Sequence, residues 1–94
     1  MVVASQTWEL ALPGCASLKA KRSVVRSLKD RVRARFNVSV SETGWNDQHA
    51  RAMVSVAVVT TDSGQADAVL DKIDDFVDTH PGAVVTGTHR ERHR

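Results

Sequence analysis

Between Ser17 and Phe36 the chain reads SLKAKRSVVRSLKDRVRARF, which puts eight of the protein's thirteen Lys and Arg residues in one stretch against a single acid, Asp30. At about 100° per residue, Leu18, Val24, Val25, Leu28, Val32 and Phe36 fall on one apolar arc, and Lys19, Arg22, Arg26, Lys29 and Arg33 gather into a stripe about 80° wide beside it. The spacing predicts one long helix that buries the arc and turns the stripe to water. Lys21 is the exception, because it falls inside the apolar arc in the first turn. Either its stem snorkels past the end of the core, or its ammonium joins Lys19 and Arg22 around an anion at the helix N-terminus. Three cations at that end oppose the helix dipole, so helix stability does not account for them.

The segments around this helix carry complementary patterns. Residues Val3 to Leu12 alternate Trp8, Leu10 and Leu12 with Thr7, Glu9 and Ala11, the period of a strand with one buried face. Pro13-Gly14 stops the strand, and Ser17 is suited to cap the helix. After Asn37, Val38 and Val40 alternate with polar residues in a second strand, and the polar run Thr43 to His49 connects it as a hairpin to a third over Ala50 to Thr61. There Ala52, Val54, Val56 and Val58 point one way and Met53, Ser55, Ala57 and Val59 the other. Asp62 or Ser63 opens a second helix with the stripe Ala66, Val69, Leu70, Ile73, Phe76 and Val77. His80-Pro81-Gly82 ends it, and Ala83 to Thr88 forms a short last strand with Val84 or Val85 inward.

The order β-α-β-β-α-β, with right-handed crossovers, predicts an α+β ferredoxin-like sandwich: a four-stranded antiparallel sheet with two helices on one face. A chain of 94 residues supports one such domain, assigned to residues 1–89, with 90–94 as a basic tail too polar to pack. A single cysteine, Cys15, excludes an internal disulfide and a cysteine-based zinc site, and points to a reducing, cytoplasmic setting. At the start of a helix Cys15 either fills a small loop position or carries some thiol reactivity. The apolar N-terminal run is interrupted by Gln6 and Glu9 and is too short to span a bilayer, so no membrane role is expected. The four histidines lack metal-ligand spacing, and neither a metal nor a cofactor is expected.

Three ordered blocks resemble a known family: Pro13-Gly14 followed by Ser17-Leu18-Lys19 and Lys21-Arg22, then Asn37 to Glu42, then Gly44, Asp47 and Arg51-Ala52. Together they are similar to the YlxP-like family of small bacterial proteins of unknown function. The resemblance implies a ferredoxin-like domain. Because such proteins are often encoded beside translation initiation factor 2 and ribosome-binding factor A, it also implies a role near ribosome assembly or translation. The family pattern usually has Trp-Gln where this chain has His49-Ala50, and Trp45 is the aromatic left in the loop to replace it.

Net charge is only +2, yet the stretch 17–36 carries +7 and the stretch 62–80 carries −5. Such segregation marks a binding surface more than the total does. The fold hosts many functions and selects none. An acylphosphatase-type enzyme needs an arginine in the first loop to hold phosphate, and PGCAS supplies none, so no enzyme is expected. Base stacking on the open sheet face needs aromatics, and that face offers Thr7, Glu9, Ala11, Met53, Ser55, Ala57 and Val59. The first expectation is therefore an RNA or ribosomal partner held through phosphates by Lys19, Lys21, Arg22, Arg26, Lys29 and Arg33. The second is an interaction module whose basic helix meets an acidic partner, such as the acidic helix of another copy, with the open sheet face available for a homodimer. Glu42, Asp47 and Arg51 flank the hairpin as a polar cluster or as an ion pair that stiffens it.

Overall fold

A computed structural model, describing residues 1–93, has the elements β1 (Val2–Ala11), α1 (Leu18–Arg35), β2 (Ser39–Gly44), β3 (Arg51–Thr60), α2 (Ser63–Asp78) and β4 (Val84–His93). The strands form one antiparallel sheet in the order β2-β3-β1-β4. This is the ferredoxin-like arrangement that the alternating and helical periods predict.

One core forms between the sheet and the two helices. Strand β1 contributes Trp8 and Leu10, and Leu12 follows just beyond its end; β3 contributes Ala52, Val54, Val56 and Val58. Val25, Leu28 and Val32 come down from α1, and Ala66, Leu70, Ile73 and Val77 from α2. The register pairs Trp8 with Val54 and Gln6 with Val56, so the large residues of the central strands share the helix side.

Local chemistry fixes the helix ends. Extended Ser17 accepts from Ala20 N–H through Oγ at 3.1 Å, and Asp62 Oδ1 accepts from Gly64 N–H at 2.6 Å and Gln65 N–H at 3.3 Å. Beyond α2 the chain reverses at Gly82, whose φ of +83° is in the region that residues with a Cβ avoid.

The last strand corrects an expectation. Residues 90–93 are no loose tail: β4 runs to His93, which pairs with Val3, and only Arg94 lies outside the described residues. The strand's backbone pairs with β1, and its polar end meets the helix layer through charge. Arg90 and Arg92 stand on the helix side and meet α2 carboxylates, with Arg90 Nη2 2.9 Å from Asp71 Oδ1 and Arg92 Nη2 3.6 Å from Asp67 Oδ2. Arg90 Nε also donates to Gln6 Oε1 at 2.8 Å. Among the described residues no helix is long and apolar enough to cross a membrane.

Candidate functional site

Helix α1 packs its apolar arc against the sheet, so the opposite face presents Lys19, Arg22 and Arg26 exposed and Lys29 half-buried. None of these four has an acidic partner among the described residues. Arg33 is at the same edge but is partly engaged: Nη2 donates to the Val40 carbonyl at 3.0 Å, and Nη1 is 3.6 Å from Asp30. A depression of about 620 Å³ runs along this face, lined by Lys19, Arg22, Arg26 and Arg31 with Ser23, Ser27 and Asp30. Arg31 and Arg35 turn away toward α2, where their guanidinium carbons lie 5.4 and 5.1 Å from the centre of the Phe76 ring. A larger cleft of about 700 Å³ opens elsewhere, between the end of α1, the end of β3 and the start of α2, and Arg35 lines it.

Lys21 does not belong with the contact residues, nor does it hold an anion at the helix N-terminus. It is 1% exposed; its Nζ donates to the Trp45 carbonyl at 2.6 Å and sits 2.9 Å from Glu42 Oε2. Its place within the apolar arc aims it under the sheet edge, where Glu42 satisfies a charge that could not otherwise be buried. The same pair removes Glu42 from the hairpin cluster. Asp47 joins no ion pair among the described residues, so Glu42, Asp47 and Arg51 do not act together.

Arg51 has a different neighbour, one that the charge pattern alone missed. Its guanidinium carbon lies 3.6 Å from the centre of the Trp45 ring. The hairpin delivers Trp45 through a bulge, where Glu42 pairs with Val54 and Gly44 with Met53. A Cβ on Gly44 would lie 2.6 Å from Met53 Sδ, so this crowded position suits glycine. Trp45 itself takes φ +57°. The hairpin loop is stapled to the β1–α1 loop, with Leu12 N–H donating to the Ala50 carbonyl at 2.8 Å and His49 Nδ1–H to that of Cys15 at 2.8 Å. The Cys15 residue is buried, 7% exposed, within this junction.

The acidic helix is treated differently. Asp74 Oδ1 accepts from Trp8 Nε1 at 2.8 Å and Gln6 Nε2 at 3.3 Å, while Asp67 and Asp71 hold Arg90 and Arg92. At the far end of α2, His80 is buried, and its Nδ1 has no hydrogen-bond partner among the described residues. Burial holds its imidazole below the ordinary pKa of 6.5, the Arg31 guanidinium lowers it further, and a hydrogen bond to the Val24 backbone opposes both. On the open sheet face Ser55 Oγ is 2.7 Å from both Thr7 Oγ1 and Thr43 Oγ1, a belt of small hydroxyls. Among the described residues no group of three or more His, Cys, Asp or Glu side chains is placed to hold a metal.

A solution NMR structure of a de novo designed ferredoxin-fold protein superposes with a TM-score of 0.54 at 11% identity, covering 100% of this chain and 86% of the design, a likeness of fold alone. In sequence the chain is 34% identical over 83 residues to the Bacillus subtilis (strain 168) protein named Uncharacterized protein YlxP, spanning 88% of this chain and 90% of that one. Residues 3–90 match the model of a family described as protein of unknown function (DUF503). With both matches running nearly end to end, the chain belongs to the YlxP-like DUF503 family.

Proposed function

We propose that the protein is a non-catalytic RNA-binding domain that holds phosphates on the outer face of α1. One observation carries this reading: Lys19, Arg22, Arg26 and Lys29 line one helix face and form no ion pair among the described residues, in a fold that pairs Lys21, Arg90 and Arg92 internally. Cations left this close repel one another and gain nothing within the fold, whereas phosphates in the same place release condensed counterions. Long cationic side chains in a row along one helix suit contact with phosphates, which positions a strand without reading its bases. The family resemblance directs the search for the RNA to ribosomal particles and the translation machinery.

Filter binding across a salt series tests the proposal. If four cations each neutralise one phosphate, log K against log salt on single-stranded RNA falls with a slope of about −2.8. The double variant Arg22→Glu, Arg26→Glu removes most of the affinity and keeps the circular dichroism of the wild type. A variant that binds RNA as well as the wild type sinks the reading. If the wild type instead elutes from gel filtration as an oligomer without RNA, and the variant as a monomer, the face belongs to a protein contact. On the acidic helix of a second copy, Asp67 and Asp71 are already held by Arg90 and Arg92.

A further inference from the structure

We propose that Trp45 and Arg51 form a stacking platform for one unpaired base of a single-stranded RNA whose backbone follows α1. The platform rests on the phosphate-binding reading of α1 for its ligand, but it is tested separately.

At 3.6 Å from the ring centre, the Arg51 carbon is at the contact distance of two flat groups, so the guanidinium lies on the indole face. Arg51 is exposed and has no carboxylate partner among the described residues, and Trp45 is half-buried and outside the core cluster. A guanidinium held flat from below presents a planar cationic surface, one of the groups on which unstacked bases settle.

The support beneath it is built for rigidity. Trp45 keeps a φ of +57°, which a bulky side chain rarely adopts and which is found where surrounding contacts over-determine the backbone. Two contacts fix its carbonyl here: the Lys21 ammonium at 2.6 Å and the Gln48 N–H at 3.0 Å. The buried Lys21–Glu42 pair thereby ties the platform to the buried side of the first turn of α1, the turn whose other side carries the exposed Lys19 and Arg22. The whole molecule measures 42 × 22 × 17 Å, so a strand of several nucleotides that follows α1 is long enough to bring a base to the platform.

The test compares an eight-residue oligouridylate with an abasic ribose-phosphate oligomer of the same length. Trp45→Ala is expected to weaken the base-bearing strand about 5- to 150-fold and to leave the abasic strand unchanged. Arg51→Gln, a change at an exposed site, weakens the base-bearing strand in the same direction and guards against misfolding of the first variant. In the wild type, oligouridylate quenches the Trp45 emission and the abasic strand does not, while Trp8, 0% exposed, stays silent. Unchanged affinity of both variants for oligouridylate overturns the platform, as does an equal loss on both strands. If Arg22→Glu, Arg26→Glu still abolishes binding in that case, the α1 reading stands without the platform. Binding of neither strand by the wild type overturns both.

Discussion

On α2 the carboxylates of Asp67, Asp71 and Asp74 each meet a donor from β1 or β4, whereas on α1 Lys19, Arg22, Arg26 and Lys29 meet no acid among the described residues. Both helices bury an apolar face, with Val25, Leu28 and Val32 on α1 and Ala66, Leu70, Ile73 and Val77 on α2, so the contrast lies in their polar faces. Exposed ion pairs contribute little each, roughly 0 to 1 kcal/mol, so pairing on α2 is not chiefly a source of stability. It helps the edge strand β4 dock in one register and offsets part of the acidic charge, at Asp67 and Asp71. The α1 surface keeps its field, and a field is what steers an anionic partner.

Lys21 gives the sharpest way to break this comparison, since it is the α1 cation that the fold both buries and pairs with an acid. Lys21→Ala leaves Glu42 against the core without its partner and is expected to cost about 3 kcal/mol or more in urea denaturation. A loss below about 1 kcal/mol would mean that the ammonium reaches solvent, as an exposed charge does, and would return Lys21 to the stripe. The next largest effect lies on α2. Asp74→Ala strands Trp8 Nε1–H and Gln6 Nε2–H under the helix, at a cost of about 1.5 to 3 kcal/mol for bonds to a charged acceptor. An unaffected midpoint would show that water replaces the carboxylate there.

What was legible in the sequence follows the same divide between local and distant partners. Trp8, Leu10, Val54 and Val56 announce their face by alternation, and Ser17 and Asp62 cap their own helices, so each signal is complete within a few residues. The fate of Lys21 depends on Glu42, 21 residues on, and could not be read from the helix wheel. The end of β4 is polar on both faces and gives no apolar alternation. It did carry a signal, though: Arg90 and Arg92 are two apart, one strand period, and Asp67 and Asp71 are four apart, about one helical turn. The Trp45–Arg51 stack was hidden because it depends on a bulge and a positive φ in the loop between them.

Charge reversals of the same kind on the two surfaces should therefore differ in what they disturb. Arg90→Glu sets an acid among Asp67, Asp71 and Gln6 and is expected to cost about 1 to 2 kcal/mol, since the guanidinium is partly covered by its partners. Arg26→Glu is expected to change stability by no more than about 0.5 kcal/mol, because it breaks no contact within the fold. Thermal melts at matched pH and salt compare them. If Arg26→Glu proves the more destabilising, the α1 face is engaged inside the protein and is not free for a partner.

The smallest effect falls where the two helices meet. His80, just beyond α2, is kept neutral by burial first and by Arg31 of α1 second. Its folded pKa lies below the unfolded value, so its contribution to stability is complete above about pH 6.5 and is lost as pH falls through the folded pKa. Arg31→Gln removes the second cause and leaves the first. The pKa of the ring, followed by its NMR shift, should rise toward the ordinary value without reaching it, and stability should hold to a correspondingly different degree in mild acid while the burial of His80 is unchanged. If the ring titrates at the same pH in both proteins, the positive field of α1 does not extend to the end of α2. The cationic surface would then be confined to the outer face, with Arg31 spent on Phe76 alone.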